Sequence, residues 1–302
     1  MSSSTAQVGA LNTPSPTPPG LFPLFDQDDS RLRRFELINT LQATLELPEQ
    51  LGIFFNWLQQ LVTIDGLSYN NRQHQISLNL GSEASHRCNY QLKTDQDMLG
   101  ELEFCRRHRF TEEELSQIES ALTALLYPIR NALRYHVAVQ TALRDPLTGT
   151  GNRIALDNAL HRECQLAERY NQSVSLLVLD IDYFKKINDN HGHSVGDEVL
   201  QQIAARVQVV TRETDMTFRY GGEEFVVVLS KTDLEGAAII GERVRQIIEH
   251  EAFTTQAGDL TVTVSVGASH LRKNETIKQL FDRADEALYV AKNQGRNCVI
   301  SL

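Results

Sequence analysis

The segment DMTFRYGGEEFVVVLS, residues 215–230, constrains the fold more than any other part of the chain. Two runs with strand composition flank a Gly-Gly pair, which predicts a β-hairpin with Gly221 and Gly222 in its turn. Glu223 and Glu224 follow at once, so two carboxylates stand where the second strand begins. The segment is either a charged hairpin with no further role or a turn that presents its acids to a cation.

A second acidic group ends another predicted strand. The run SVSLLVLDID, residues 173–182, is apolar until it ends in acids, which places Asp180 at the edge of a buried strand. An ionised carboxylate beside a core strand needs a cation or hydrogen-bond donors. Asp180 and the hairpin glutamates offer the oxygen ligands that Mg²⁺ prefers, with room for phosphate oxygens. Glycines in the turn would let a phosphate approach the backbone closely.

Length and composition predict two soluble domains. The chain has 302 residues, of which 41% are hydrophobic and 23% are charged. A net charge of −10 argues against general nucleic-acid binding, which favours a basic surface. No apolar run is long enough to cross a bilayer, so no membrane partner is expected. The four cysteines are scattered without metal-site spacing, which predicts a reduced, cytoplasmic location.

The N-terminal half predicts a small α+β domain. Residues 1–28, rich in Ser, Thr and Pro, are expected to form a disordered leader. Two helical segments, 30–47 and 48–64, precede four short strand-like segments. This order resembles a GAF-type sensor module, and the predicted GAF-like domain covers residues 29–110. The alternative is a structural or dimerising domain without a ligand.

A long helix is predicted to connect the two halves over residues 111–143. Thr111 and Glu114 have capping-box spacing, and leucines recur at helical intervals after them. Pro128 is expected to kink this helix. From residue 144 to 302, helical and strand-like segments alternate, which predicts an α+β domain with a mixed sheet.

Four motifs in the C-terminal half together resemble a known family. DPLTGTGNR, DIDYFKKINDNHGHSVGD, RYGGEEF and AKNQGRN occur in the order and spacing of the GGDEF family. The resemblance implies a palm-like fold related to nucleotide cyclases. It also implies diguanylate cyclase activity, in which two GTP molecules condense to cyclic di-GMP and two pyrophosphates.

The resemblance also implies roles for the acidic residues. Asp180, Glu224 and the Ile181 carbonyl are implied to bind Mg²⁺, or Mn²⁺ in its place. Glu223 is implied as the catalytic glutamate near the metal, acting either as a base on the 3′-hydroxyl or mainly as a metal ligand. Asp182 is left between a supporting and a structural role.

The substrate residues follow from the same resemblance. Asn188 and Asp197 match positions that read guanine, whose N–H donors a carboxylate can accept. Lys185, Lys292 and Arg296 are implied to contact phosphates, with Gly221 and Gly222 over the triphosphate. His193 is expected to shape the neighbouring loop. The chain departs from the family at Thr150-Gly151, where LTGTGNR replaces LTGLxNR, which predicts an altered contact with guanine.

Two further expectations concern assembly and regulation. One domain holds one GTP, so synthesis requires two sites to face each other in a homodimer. An RxxD pair, Arg212 and Asp215, has the family spacing of an inhibitory site for cyclic di-GMP, and Arg243 matches a further arginine of that site. A surface ion pair is the simpler interpretation of RxxD.

A catalytically inactive domain that acts as a receptor for GTP or cyclic di-GMP is the alternative function. It is disfavoured because Asp180, Glu223 and Glu224 are all present.

Overall fold

A computed structural model describes residues 5–7, 25–95 and 97–302. The chain divides into two compact units, Met1–Val139 and Gln140–Leu302. The predicted leader, residues 1–28, lies mostly outside the described residues, and its last four residues form the start of the first helix. No helix in the described part of the chain is long and apolar enough to cross a membrane.

The N-terminal unit combines helices with one five-stranded sheet. Its elements are β1 (Thr5–Gln7), α1 (Phe25–Gln42), α2 (Leu47–Leu58), β2 (Gly66–Asn71), β3 (Ile76–Gly81), β4 (His86–Lys93), β5 (Met98–Arg106) and α3 (Glu112–Ala142). The strand order is β1-β4-β5-β2-β3. The four predicted strands are therefore confirmed, and their pairings with one another are antiparallel. That this unit is GAF-like stays a prediction.

The long helix α3 begins as the sequence predicts. The Thr111 hydroxyl accepts from Glu114 N–H at 3.3 Å, and the Glu114 carboxylate accepts from Thr111 N–H at 2.8 Å. This reciprocal pair satisfies donors that a helix start otherwise leaves free. Pro128 lies inside the helix, which is continuous over its 31 residues. The kink at Pro128 stays a prediction.

The C-terminal unit is built on a second five-stranded sheet. Its elements are α4 (Arg153–Tyr170), β6 (Val174–Ile181), α5 (Phe184–His191), α6 (His193–Val210), β7 (Met216–Arg219), β8 (Glu224–Ser230), α7 (Leu234–His250), β9 (Phe253–Thr255), β10 (Gly258–Leu260), β11 (Val264–His270), α8 (Ile277–Asn293) and β12 (Val299–Ser301). The strand order β12-β11-β6-β8-β7 puts β6 at the centre. Only the β11–β12 pairing of this sheet is parallel, so the predicted mixed sheet is confirmed.

The central strand β6 is buried on both faces, as its apolar sequence predicts. Leu177 and Leu179 enter a core with α6 and α7, whereas Leu176 and Val178 enter a core with α4 and α8. This alternation follows from the two-residue period of a strand. A strand with so little exposure holds its end firmly, and its end carries Asp180.

Helix α8 crosses β11 at very short distance, because Gly267 has no side chain. A Cβ added at Gly267 would lie 2.1 Å from the Ala284 carbonyl oxygen and 2.4 Å from the Leu288 nitrogen. These are backbone atoms of α8, so a rotamer change could not relieve the overlap. Gly267 therefore sets the distance between the sheet and the helix that carries Lys292.

Candidate active site

The sheet register brings two of the predicted carboxylates together. β6 and β8 are antiparallel, and Asp180 is the direct partner of Glu224. Such cross-strand partners have Cβ atoms about 5 Å apart on one face of the sheet. Ile181 N–H donates to the Glu223 carbonyl at 3.4 Å, which holds the start of β8 against the end of β6. Asp180, Glu223 and Glu224 therefore form one acidic cluster at this edge.

Burial and neighbouring negative charges raise the pKa values of the acidic cluster. Asp180 is 7% exposed, and loss of solvation is the main cause of its raised pKa. Burial raises the pKa of Glu223 and of Glu224, and the Asp180 charge raises both further. Three partly or fully buried carboxyl groups with raised pKa values form a site where a cation is favoured.

Lys292 supplies a positive charge to this cluster. Its Nζ lies 2.8 Å from Asp180 Oδ2, and it lowers the pKa of all three carboxyl groups against the larger effect of burial. The sequence assigned Lys292 to the substrate phosphates, whereas the structure places its ammonium on Asp180. The same ammonium group marks the position as one where positive charge is stabilised.

The donor set of the cluster fits a divalent ion held partly by a substrate. Within the described residues no group of three or more His, Cys, Asp or Glu side chains is arranged to hold a metal by itself. Mg²⁺ is usually bound by one or two carboxylates and completes its shell with water and phosphate oxygens. Asp180, Glu224 and the Ile181 carbonyl match that incomplete donor set.

The glycine turn is held from outside by an arginine. Arg219 donates to the Gly222 carbonyl through Nη2 at 2.8 Å, and its Nη1 lies 3.2 Å from both carboxylate oxygens of Asp145. Thr148 hydrogen bonds lower the pKa of the Asp145 carboxyl, as does the Arg219 charge, against the opposing effect of burial. Asp145, the first residue of DPLTGTGNR, thus fixes the turn of RYGGEEF.

The two turn glycines differ in their surroundings. A Cβ at Gly221 would lie 2.7 Å from Glu224 Oε2, the end of a flexible side chain. A Cβ at Gly222 would meet no protein atom within 4 Å. Packing within the chain therefore does not require glycine at 222, whereas close approach of a ligand would.

The loop between α3 and α4, which carries Asp145, is joined to the end of α3. Asn152 Nδ2 donates to the Ala142 carbonyl at 2.7 Å, and Asn152 N–H donates to the Leu143 carbonyl at 2.9 Å. The Asn152 side chain also caps α4 by accepting from Ala155 N–H. One residue therefore binds the end of α3 and the start of α4.

The departure at Thr150-Gly151 has a structural explanation. Thr150 is 2% exposed, and its hydroxyl lies 2.8 Å from the Thr148 hydroxyl. A Cβ at Gly151 would lie 2.3 Å from the Phe218 ring, so glycine is needed there. The Thr150 side chain supports the loop that holds Asp145. Its burial does not support the altered guanine contact that the sequence suggested.

Asp182, which the sequence left undecided, has a clear anchoring role. Its carboxylate accepts from the Thr263 and Ser265 hydroxyls, each at 2.7 Å, and from Asn297 N–H at 3.1 Å. These bonds join β6, the start of β11 and the loop after α8. Asp182 therefore orients that loop.

Arg296 lies in the loop that Asp182 anchors. Its guanidinium lies over the exposed Tyr183 ring, 4.6 Å from the ring centre, and its Nη1 is 3.3 Å from the Tyr183 hydroxyl. The Arg296 charge also lowers the pKa of Asp180. Arg296 is thus near enough to the acidic cluster to affect its charge. Gly295, with φ of +113°, follows the end of α8.

The predicted guanine residues lie on the α5–α6 pair. Asn188 Oδ1 is buried and has no hydrogen-bond partner in the described residues. A Cβ at Gly196 would lie 1.9 Å from that oxygen, so only glycine fits beside it. Asp197 is exposed beside Gly196, and His193 and Lys185 are exposed on the same two helices. An acceptor left unsatisfied costs free energy, which a donor on a ligand would recover.

The predicted inhibitory residues do not form a side-chain ion pair. Asp215 is 9% exposed, and its Oδ2 accepts from the Arg212 backbone N–H at 2.8 Å. Its Oδ1 has no partner in the part of the chain that the structure describes. The Arg212 and Arg243 side chains are exposed. The surface ion pair considered from the sequence is therefore replaced by a turn in which Asp215 binds backbone.

Comparison with known proteins identifies the class. Residues 142–298 match the family described as "Diguanylate cyclase, GGDEF domain". Diguanylate cyclase DgcS of Shewanella oneidensis is 32% identical over 267 residues, which cover 87% of this chain and 86% of the relative. Diguanylate cyclase A of Treponema denticola is 30% identical over 270 residues, 88% of this chain and 72% of the relative.

A solved structure supports the same class. The coiled coil and GGDEF domain of DgcB from Caulobacter crescentus, in complex with c-di-GMP, is 31% identical and matches with a TM-score of 0.56. The match covers 62% of this chain and 99% of that one. The chain belongs to the GGDEF domain family, and the predicted palm-like fold of its C-terminal unit is confirmed.

Proposed function

We propose that this protein is a diguanylate cyclase that condenses two GTP molecules to cyclic di-GMP and releases two pyrophosphates. The observation that carries the proposal is the register of β6 and β8, which sets Asp180 opposite Glu224 beside the glycine turn. The names of the relatives, DgcS among them, support the same reaction.

The acidic cluster would hold the metal and act on the nucleophile. Asp180, Glu224 and the Ile181 carbonyl would bind Mg²⁺, or Mn²⁺ in its place. When bound, the ion neutralises phosphate charge and lowers the pKa of the attacking 3′-hydroxyl. Glu223, at the turn, would accept that proton.

The remaining residues bind and orient GTP. Asn188 and Asp197 accept the N–H donors of guanine, while Gly221 and Gly222 leave space for the triphosphate. Lys185 and Arg296 contact phosphates. Lys292 can exchange its ion pair with Asp180 for one with a phosphate. His193 shapes the loop between α5 and α6. The Arg219–Asp145 pair keeps the turn in place during binding.

A homodimer would complete the reaction, since each 3′-hydroxyl must reach the α-phosphate of the other GTP. Helix α3 enters the catalytic unit directly and is the element through which the N-terminal unit would control alignment.

Within the described residues the four cysteines are free, which supports a cytoplasmic location.

The function is tested by incubating purified full-length protein with GTP and Mg²⁺ and identifying the product by mass spectrometry. Cyclic di-GMP and pyrophosphate are expected in a 1:2 ratio, and ATP should give no product. Tight GTP binding without turnover would support the receptor alternative. No binding of GTP would remove both.

A first prediction concerns metal and pH. Because the pKa values of the cluster are raised, its protonated carboxyl groups stabilise the folded protein at pH values below the ordinary carboxyl pKa. That contribution is lost as pH rises through the raised values. Mg²⁺ binds the ionised groups, so it should raise the melting temperature most at neutral pH and less as pH falls. The stabilisation is about 2.7 kcal/mol at roughly 100-fold the Kd.

Calorimetry with and without Mg²⁺ measures this effect. Asp180→Asn should lose most of the metal-dependent shift, whereas Asp157→Asn, an exposed acid on α4, should keep it. An equal Mg²⁺ shift in the Asp180→Asn protein would show that the ion binds elsewhere.

We also propose that cyclic di-GMP inhibits the enzyme at Arg212, Asp215 and Arg243. Asp215 Oδ1 is buried without a partner in the described residues, so a small shift of the turn would give a guanine N–H an unsatisfied acceptor. The exposed Arg212 guanidinium can pair with a phosphate or with the Hoogsteen edge of guanine. The backbone bond from Arg212 to Asp215 holds the two residues in one turn.

A second prediction follows for Arg212→Ala. The substitution keeps the backbone N–H that binds Asp215, so the turn should remain. Initial rates of the wild type should fall at micromolar cyclic di-GMP, and rates of Arg212→Ala should not. Arg169→Ala, at an exposed arginine of α4, is the matched control and should stay inhibited. Equal sensitivity in all three proteins would contradict the inhibitory role.

A further inference from the structure

The N-terminal unit contains a cavity that the proposed cyclase reaction does not use. Its volume is about 370 Å³, within the usual range of small-molecule sites. It is lined from three sides by the β2–β3 turn with His74, by the start of β5 with Leu99, and by α3 with Arg130 and Leu133. All of its lining residues belong to the N-terminal unit.

Arg130 is the least satisfied cation of this cavity. Its Nε is buried and has no hydrogen-bond partner in the described residues. Its guanidinium lies over the Tyr127 ring, 4.7 Å from the ring centre, which restricts its orientation. A buried charged donor without an acceptor is costly, so an anion that accepts from it would be stabilised.

Arg134 lies one turn later on the same face of α3 and lines the same cavity. Its Nη2 is 3.1 Å from Asp97 Oδ2, so one carboxylate offsets one of the two guanidinium groups. The cavity therefore keeps an excess of one positive charge before any contribution from His74. Two guanidinium groups four residues apart can bind one carboxylate from two directions.

The floor of the cavity is apolar and held in place. Its apolar lining consists of the buried Leu99 and Leu133 together with Met98 and Val137, which are 53% and 41% exposed. The Leu99 carbonyl accepts from the buried Tyr69 hydroxyl and from Asn71 Nδ2, the latter at 3.1 Å. Because these bonds fix the start of β5, the apolar surface needs no rearrangement to receive a ligand.

We propose that this cavity binds a small organic carboxylate, with its charged group on Arg130 and Arg134 and its apolar body against Met98 and Val137. An inorganic anion would satisfy only the arginines, and a neutral apolar compound would satisfy only the floor. Both halves together select an anion attached to a compact hydrocarbon or aromatic body.

Isothermal titration calorimetry on the full-length protein tests the proposal with three probes. Benzoate carries both features, benzyl alcohol has the ring without the charge, and inorganic phosphate has charge without the ring. Benzoate should bind saturably at one site per chain. The other two should bind at least about tenfold more weakly, since each lacks a charge-assisted pair or the apolar contact.

Variants locate the site. Arg130→Gln should weaken benzoate binding roughly tenfold or more, because it removes the unpaired guanidinium. Arg130→Lys, which keeps the charge without the fork, should also weaken binding, and it serves if Arg130→Gln folds poorly. Arg87→Gln, at an exposed arginine of β4 that pairs with Glu103, is the control and should bind as the wild type does.

Three results would overturn the proposal. They are the lack of saturable benzoate binding by the folded wild type, phosphate or benzyl alcohol binding as tight as that of benzoate, and unchanged benzoate affinity in both Arg130 variants. None of these measurements depends on cyclase activity, so a failure here leaves the proposed reaction standing.

Discussion

Glu223→Gln should lose nearly all synthesis of cyclic di-GMP while the protein keeps its fold. The change preserves the shape of the side chain and removes one charge and one proton acceptor from the acidic cluster. Loss of one electrostatic contact to a transition state typically lowers kcat by about 10²–10³. A residue that also accepts the proton should cost at least that much.

The same substitution should not destabilise the protein. Glu223 has a pKa raised by burial and by the charge of Asp180, so a neutral amide relieves repulsion in the metal-free protein. We expect an equal or higher melting temperature without Mg²⁺. Glu235→Gln, at an exposed acid in the first turn of α7, is the matched control and should keep full turnover. Turnover close to that of the wild type in purified Glu223→Gln would remove the central claim.

Gly267→Ala should strongly destabilise the C-terminal unit. The added Cβ would overlap the Ala284 carbonyl oxygen and the Leu288 nitrogen, so α8 would have to move away from β11. Overpacking of this kind costs about 1–3 kcal/mol and sometimes more. Each kcal/mol lowers the melting temperature of a domain of this size by about 2–4 °C. Synthesis should fall too, because the displaced helix carries Lys292.

The chain offers two internal controls for this result. The sole tryptophan, Trp57, lies in the N-terminal unit, so its fluorescence should report that unit while far-UV circular dichroism reports both. Gly222→Ala adds the same methyl group where no protein atom lies within 4 Å, and its melting curve should match that of the wild type. A Gly267→Ala protein as stable as Gly222→Ala would refute the close-packing explanation.

Local pattern was enough to predict the elements that carry the acidic cluster. Continuous apolar sequence predicted β6, the glycine pair predicted the β7–β8 hairpin, and capping residues predicted the start of α3. That Asp180 faces Glu224, however, depends on the register between strands, which no short segment encodes. The family resemblance supplied this pairing before the register was known.

The supporting contacts could not be predicted from sequence. Asp145 and Arg219 are 74 positions apart, and Asp182 and Asn297 are 115 apart. Sequence periodicity describes neighbours along one element and contains no information about such pairs. Helix α5 was also not predicted. Gly192, with φ of +85°, was the local feature that could have indicated it.

The hydrogen bonds of Asn152 and Asp145 have a thermodynamic consequence. Asn152 binds the end of α3, and Asp145 in the same loop binds Arg219, which holds the glycine turn. If the orientation of the helix alters GTP affinity at the turn, then GTP must alter the preferred orientation of the helix by the same free energy. In that case, nucleotide occupancy would be detectable at residues of α3 that do not touch the nucleotide. A label on that helix would then report GTP binding.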